Sequence, residues 1–168
     1  MKHDFTLKEC LRLDEKRNKI KECYKSIAII SNDEITFLGN ILTFDGKEYY
    51  KLVPDTTDIY VSNQGKVIQV QNVMFEENIY YKIMTLTQCK CTSAGNYLCV
   101  LYYTISGKRK NTYVHRLVAE AFCPKIPEEN IIHHIDGNKY NNNANNLMWT
   151  TSQLHKKIHR AMRLRTND

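Results

Sequence analysis

The 168-residue sequence lacks the features that mark membrane, secreted and disordered proteins. No apolar run approaches the ~18 residues that a membrane-spanning helix needs. Met1 is followed by Lys2-His3-Asp4 rather than by a signal sequence, so we expect a cytoplasmic protein. Hydrophobic residues make up 42% and charged residues 25% of the chain, which is typical of a globular domain.

CxxC pairs are also missing, although the chain has six cysteines. These are Cys10, Cys23, Cys89, Cys91, Cys99 and Cys123. A reducing cytoplasm keeps such thiols free, and in strands they act as small hydrophobic residues. Cys89 and Cys91 form a CxC with Cys99 eight residues further on, which leaves a zinc site as the alternative.

Excess charge of either sign is absent from the first part of the chain and concentrated in the second. Residues 1–107 hold 13 Lys and Arg against 13 Asp and Glu, whereas residues 108–168 hold 11 against 5. The last 61 residues therefore carry the whole net charge of +6, together with five of the six histidines. This distribution predicts that the C-terminal part binds a polyanion.

The first segment with regular periodicity predicts a helix. Thr6 and Glu9 form a capping box, and the apolar spacing that follows predicts one helix, or two broken near Arg17-Asn18, over about residues 7–28. It either packs on the body of the protein or contacts a partner.

Residues 35–114 change to the two-residue period of strands. Asp45-Gly46 between ILTF and KEYY predicts a two-residue hairpin. Further strands are predicted at 58–62, 66–71, 78–86 and 97–105, and a last strand follows the turn at Ser106-Gly107. The Tyr- and Val-rich meander indicates an antiparallel sheet with one face in water.

The next segment, VHRLVAEAF at 114–122, predicts a helix with a buried stripe and with His115 and Arg116 outside that stripe. The stripe consists of Val114, Leu117, Val118, Ala121 and Phe122. Cys123-Pro124 ends the helix, because proline disfavours a helical conformation in the preceding residue.

Residues 130–160 predict a strand, a polar loop, a strand and a helix. Ile131-Ile132 lead a short strand into His133-His134, and LMW at 147–149 forms the second strand. We interpret Asp136 as the cap of the turn that it begins. Thr150-x-x-Gln153 predicts the start of a helix that runs to about Arg163.

On this last helix, His155 and His159 are four residues apart, so both imidazoles lie on one face and can reach a single ion. Leu154, Ile158 and Met162 form the neighbouring apolar stripe, which is predicted to pack on the hairpin.

This order of elements, with its histidine pattern, resembles the ββα-metal site of HNH endonucleases. VHRLVAEAF followed by HHIDGNKYNNNANNLMWTT is similar to the phage and intron-encoded homing branch, over about residues 113–160. A fainter resemblance, YYKLVPDTTDIYVSNQGKV at 49–67, is to the small β module that often precedes these nucleases, with Tyr in place of the usual Trp.

The resemblance implies a role for each matching residue. His134 corresponds to the general base that takes a proton from the attacking water, and Asn146 to the central Asn that braces the loop. His133 and His155 correspond to metal ligands, and His159 to a further ligand found in the bacterial toxin DNases. Homing members more often have Asp in place of His133 and Asn in place of His155.

These residue types suit the hydrolysis of phosphodiesters. A neutral imidazole titrates near pH ~6.5 and can accept a proton at cellular pH. Three imidazoles suit Zn²⁺, Mn²⁺, Co²⁺ or Ni²⁺, whereas Mg²⁺ prefers oxygen. We therefore expect one divalent ion per site, Mg²⁺ or Mn²⁺ for activity, with Zn²⁺, Ni²⁺ or Co²⁺ also able to bind.

The implied substrate is double-stranded DNA, with the protein at the nucleoid when bound. The candidate DNA-binding residues are Lys108, Arg109, Lys110, Arg116, Lys156, Lys157 and Arg160. Arg116 either contacts a phosphate or pairs with a carboxylate. Cutting both strands with one site per chain requires a homodimer or two successive nicks.

The sequence thus predicts an α+β protein with an N-terminal helix, an antiparallel β-rich middle and a C-terminal ββα-metal motif. The predicted parts are a helical extension at 1–45, a β-rich DNA-binding module at 46–112 and the nuclease domain at 113–168. The alternative functions are a catalytically silent, metal-stabilised DNA-binding regulator and, more distantly, a structural interaction protein. The presence of His134 argues against the regulator, because a structural metal site does not need it.

Overall fold

A computed structural model describes residues 24–31, 36–38, 41–43, 46–75, 78–91 and 95–165. The architecture is α+β, with an antiparallel β-rich middle and a C-terminal strand–loop–strand–helix unit, as predicted. Within these residues no helix has the length and the apolar character needed to cross a membrane.

The first sheet has seven antiparallel strands in the order β1-β7-β6-β5-β4-β3-β2. They are Tyr24–Ser31 (β1), Thr36–Leu38 (β2), Ile41–Thr43 (β3), Tyr49–Leu52 (β4), Ile59–Ser62 (β5), Val67–Phe75 (β6) and Asn78–Leu86 (β7). From β2 to β7 each strand pairs with the next one along the chain, and β1 closes the other edge by pairing with β7.

The N-terminal prediction is wrong at its C-terminal end. Residues 24–28, which were predicted to be helical, belong to β1, and most of the predicted helix lies outside the described residues. The strand contains three isoleucines, Ile27, Ile29 and Ile30, whose β-branched side chains favour extended backbone. Pairing with the long strand β7 stabilises that conformation over the local helical periodicity.

A second sheet of three strands has the order β10-β9-β8, and α1 follows it directly. Its elements are Gln88–Cys91 (β8), Tyr97–Tyr103 (β9), Arg109–Tyr113 (β10) and Val114–Phe122 (α1). Strand β8 was not predicted, because QCKC is short and contains no apolar alternation beyond its cysteines.

The C-terminal unit is a hairpin followed by a helix. Ile131–His134 (β11) pairs antiparallel with Leu147–Thr150 (β12), and a short 3₁₀ helix at Ala144–Asn146 precedes β12. Helix α2 spans Ser152–Arg165. Thr151 rather than Thr150 caps it, since the Thr151 Oγ1 accepts from the Leu154 N–H at 3.2 Å, whereas Thr150 is the buried end of β12.

The predicted hairpin at Asp45-Gly46 is present but wider than expected. Strands β3 and β4 pair from Thr43 opposite Tyr49, so five residues rather than two make the reversal. Gly46 has φ +68°, a left-handed conformation that glycine adopts without strain.

The main hydrophobic core joins both sheets to the C-terminal unit. Helix α1 buries Val114, Leu117 and Val118 at its centre. The first sheet contributes Ile59, Val61, Val67 and Leu86, and Val53 joins them from just after β4. The second sheet contributes Val100 and Tyr102, and the hairpin Ile132, Leu147 and Trp149. Because the hairpin shares this core, the sheets fix its position. The division into parts at 45/46 and 112/113 stays a prediction.

The stripes on the two helices differ from prediction in detail. On α1, His115 and Ala119 are buried, whereas Ala121 and Phe122 are only partly buried against the core. On α2, Leu154 is 42% exposed, so the apolar contact of this helix rests on the half-buried Ile158 and Met162.

Candidate metal centre

Strand β11 presents two consecutive histidines to opposite sides of the hairpin. His133 lies opposite Met148 and His134 opposite Leu147 in the antiparallel register. Neighbouring residues of a strand face opposite ways, so the two imidazoles enter different surroundings. Both side chains are buried.

On one side, His133 meets the two histidines of α2. Nitrogen atoms of His133, His155 and His159 all lie within 4.8 Å of one another. The Nε2 atoms of His155 and His159 are 3.1 Å apart. Two imidazole nitrogens on a tetrahedral zinc ion lie about 3.3 Å apart, given the usual Zn–N length of about 2.0–2.1 Å. The donor set therefore fits a divalent cation.

The protonation state of this cluster also suits metal binding. Burial lowers the pKa of His133, and the neighbouring His159 and His155 lower it further. Burial and the neighbouring His159 likewise lower the pKa of His155. These two rings are therefore neutral at neutral pH, the protonation state that ligation requires.

The thiols do not form a comparable set. In the part of the chain that the structure describes, Cys89, Cys91, Cys99 and Cys123 form no disulfide bond. The three histidines are, among the described residues, the one group of three ligand-type side chains close enough to share an ion. The predicted alternative of a zinc site at the CxC therefore has no support in the geometry.

On the other side of the hairpin, His134 is enclosed by three side chains. Its Nε2 is 3.2 Å from the Oδ1 of Asn142. The Tyr97 ring stacks on it with centroids 5.8 Å apart, and the His115 ring meets it edge-on at 5.2 Å. Burial lowers the pKa of His134, and the hydrogen bond to Asn142 partly offsets that effect. The ring is consequently neutral at pH 7.

The loop between the two strands is held by amide and carboxylate hydrogen bonds. Asn146 Oδ1 accepts from the Asp136 N–H at 3.0 Å, and Asn146 Nδ2 donates to Asp136 Oδ1 at 2.8 Å and to the Asn141 carbonyl at 2.9 Å. Asp136 Oδ1 also accepts from the Asn138 N–H at 2.8 Å, so Asp136 caps this turn as interpreted from the sequence. The side-chain amides of Asn141 and Asn146 lower the pKa of Asp136.

Sequence reasoning missed the residues that surround His134. His115 was placed outside the buried stripe, yet it is only 8% exposed, and its Nδ1 has no hydrogen-bond partner among the residues that the structure describes. Tyr97 and Tyr113 both pack on its ring, with centroids 4.7 and 5.4 Å away. Two strands and a helix contribute these rings, and no local pattern in the sequence connects them.

The predicted DNA-binding residues are exposed but fall into several groups. Lys108 and Lys110 line one surface groove, and Lys110 and Arg116 line the next, beside Tyr113. Arg109 projects from the opposite face of β10, since strand residues alternate. Arg116 also lies 3.8 Å from Glu120 one turn along α1, which is the carboxylate pairing left open by the sequence.

The basic residues of α2 form a group apart. Lys156 and Arg160 are four residues apart and share one side of the helix, and Lys157 lies on the adjacent side. All three are exposed. They flank the face that carries His155 and His159.

Comparison with known proteins relates the region that carries these histidines to a known family. Residues 112–157 match the HNH endonuclease family. The DNA endonuclease I-HmuI of Bacillus phage SP01 is 48% identical over 48 residues, which is 29% of this chain and 28% of that protein. An uncharacterized HNH endonuclease of Acanthamoeba polyphaga mimivirus is 45% identical over 56 residues, 33% of this chain and 16% of that protein. The chain thus spans well under half of these relatives.

The fold agrees beyond the matched sequence. A solved structure of the HNH homing endonuclease I-HmuI, described as binding and cleaving DNA, superposes with a TM-score of 0.54 and 28% identity. The match covers 67% of this chain and 58% of that one, so it includes part of the β-rich middle. Residues 112–157 are therefore similar in sequence to the HNH endonuclease family, and the fold of this chain is similar to that of a phage HNH homing endonuclease.

Proposed function

We propose that the protein is a metal-dependent endonuclease of the homing or mobile-element type that hydrolyses phosphodiester bonds of duplex DNA. The observation that carries the proposal is the pair of histidine environments on β11. A buried, neutral His134 lies on one side, and three imidazoles within 4.8 Å of one another lie on the other.

In this proposal His134 is the general base. Its lowered pKa leaves it unprotonated at pH 7, so it can take the proton of an attacking water. Asn146 holds the loop through three hydrogen bonds and so keeps His134 and its neighbours in place. Asn146 thereby supports the reaction without touching the substrate.

The proposed metal ligands are His133, His155 and His159. A divalent cation bound there would neutralise the charge that builds up on the phosphate and the leaving oxygen. Their nitrogen donors favour Mn²⁺, Zn²⁺, Co²⁺ or Ni²⁺. Mg²⁺ would depend on oxygen ligands from phosphate and water.

The DNA would be held by phosphate contacts on both sides of the site. Lys108, Lys110 and Arg116 border two neighbouring grooves. The groove that Lys110 and Arg116 line also contains Tyr113, whose ring packs on His115 next to His134. Lys156 and Arg160 flank the histidine face of α2. We assign residues 46–112 as the β-rich DNA-binding module and residues 113–168 as the nuclease domain, to which Arg116, Lys156 and Arg160 add phosphate contacts.

Plasmid nicking tests the proposal. Supercoiled plasmid is incubated with the protein and Mn²⁺ or Mg²⁺, and the relaxed and linear products are measured. His134→Ala should lower the cleavage rate by about 10²–10⁴-fold, the usual contribution of a general base. Equal rates for the parent and His134→Ala would overturn the assignment of the base.

Metal binding is measured separately by calorimetry with Mn²⁺ and Zn²⁺. His155→Ala should lose most of the affinity, whereas Gln153→Ala, an exposed change on the same helix, should keep it. Metal and DNA binding without cleavage would instead favour the metal-stabilised DNA-binding regulator.

A further inference from the structure

The residue that fixes His134 is not among those that the HNH resemblance assigns. Asn142 is only 4% exposed, and its Oδ1 lies 3.2 Å from His134 Nε2. An amide oxygen only accepts hydrogen bonds, so the imidazole must donate through Nε2–H. In a neutral ring, the lone pair then lies on Nδ1.

We propose that Asn142 is a positioning residue that selects the Nε2–H tautomer of His134 and leaves Nδ1 free to accept a proton. We further propose that the β5–β6 turn at residues 63–65 holds Asn142 in place. The inference rests on the proposed function only where it assigns a purpose to Nδ1. The hydrogen bond and the tautomer are properties of the chain itself.

The support from the turn is a close backbone approach. A Cβ atom at Gly65 would lie 2.9 Å from the Asn142 Cβ and 3.1 Å from its carbonyl oxygen. Any side chain at position 65 would therefore push Asn142 away, and only glycine permits the contact. Gly65 also has φ +89°, which a larger residue adopts only with strain.

Further hydrogen bonds hold the turn and the loop together. The Ala144 N–H donates to the Asn63 carbonyl at 2.8 Å, just beyond Asn142. Gln88 Nε2 donates to the Gly65 carbonyl at 2.7 Å. The first sheet and β8 thus fix the turn, the turn fixes Asn142, and Asn142 fixes the ring of His134.

The inference is tested first by replacing Asn142 with two residues of similar side-chain volume. Asn142→Leu keeps the bulk against Gly65 but removes the acceptor, whereas Asn142→Asp keeps an acceptor oxygen. We expect Asn142→Leu to lower kcat for plasmid cleavage about 10- to 100-fold with KM little changed, as for other residues that orient a functional histidine. Asn142→Asp should retain kcat within about tenfold of the parent.

A spectroscopic readout separates orientation from general loss of structure. Long-range ¹H–¹⁵N correlation spectra of the EDTA-treated protein at pH 8 report which ring nitrogen carries the proton. The parent should show His134 protonated at Nε2 and bare at Nδ1, and Asn142→Leu should show a mixture of tautomers. An Nδ1–H tautomer in the parent, or an unchanged tautomer and kcat in Asn142→Leu, would overturn the inference.

The role of the turn is tested with a matched pair of glycines. Gly65→Ala should lower kcat and mix the tautomers in the same way as Asn142→Leu. Gly46 also has a positive φ, +68°, but a Cβ there would meet no atom of the described residues within 4 Å, so Gly46→Ala controls for backbone strain and should keep the parent values. Equal effects of the two changes would refute the role assigned to the turn.

Failure of this inference is distinguishable from failure of the proposed function. A parent protein that cuts no DNA refutes the nuclease, while the tautomer measurement still tests Asn142. If the parent and Asn142→Leu cut DNA at the same rate and show the same His134 tautomer, the positioning role of Asn142 is refuted and the proposed nuclease function is not affected.

Discussion

Replacing His115 by phenylalanine should make the stability of the protein less sensitive to acid. His115 is buried among Tyr97, Tyr113 and His134, and no described residue forms a hydrogen bond with its Nδ1. Burial, followed by the charges of His134 and Arg116, lowers its pKa from 6.5 to about 4. Phenylalanine fills a similar space and cannot take up a proton.

The sign and the size of the effect follow from proton linkage. The unfolded chain binds a proton at His115 below pH 6.5, whereas the folded chain does so only below about 4, so acid favours unfolding between these values. Each tenfold difference in proton affinity corresponds to about 1.4 kcal/mol. His115 alone should therefore lower the free energy of unfolding by about 2 kcal/mol when the pH falls from 7.5 to 5. The decrease should level off at about 3 kcal/mol once the pH is well below 4.

Urea unfolding measures this quantity at pH 7.5 and pH 5.0, with EDTA present so that metal binding does not contribute. Every other titrating group is common to the parent and His115→Phe, so the difference between their pH dependences isolates His115. We expect His115→Phe to lose about 2 kcal/mol less than the parent over this range. An equal loss in both proteins would show that the imidazole is not held neutral, and the argument from burial would fail.

Two further predictions concern the proposed nuclease directly. Cleavage at saturating metal should stay level above pH 7 and fall only in acid below the usual imidazole value of 6.5, because His134 accepts a proton only when neutral and its pKa is lowered. A rate that rises in acid would contradict this. Lys110→Gln should weaken binding to duplex DNA and reduce the slope of log K against log salt by about 0.9, as expected for one lost phosphate contact. Lys66→Gln, whose charge already pairs with Glu48 at 3.3 Å, is the control and should keep the parent slope in a fluorescence anisotropy titration.

Local patterns predicted the C-terminal elements well because those elements depend on local chemistry. The spacing from Val114 to Phe122 gave α1 with its observed bounds. The i, i+4 spacing of His155 and His159 brought their Nε2 atoms to 3.1 Å, since a helix fixes that geometry without help from the rest of the fold. The two strands that carry His133-His134 and Trp149 were also predicted correctly, because their short apolar runs mark them locally.

The sequence-based predictions were wrong where long-range contacts override the local preference for a secondary structure. Residues 24–28 have helical periodicity but pair with β7, about 55 residues away along the chain, and the free energy of that pairing cannot be read from the segment. His115 and Asn142 were missed because their partners, Tyr97 and His134, come from other elements. Buried polar residues of this kind have no periodicity that sets them apart from exposed ones.

The hairpin also explains why two consecutive histidines can have different chemistry. Because strand residues alternate, His133 joins the ligand set on the α2 side, while His134 lies among Asn142, Tyr97 and His115 on the other. In-line displacement at phosphorus places the attacking and the leaving oxygen on opposite sides. The proposed base and the proposed cation ligands project from opposite faces of one strand, which suits that requirement. Shifting the register of β11 by one residue would exchange the two histidines. The pairing of His134 with Leu147, fixed by the buried Ile132 and Trp149 beside it, therefore determines which imidazole would act as the base in the proposed reaction.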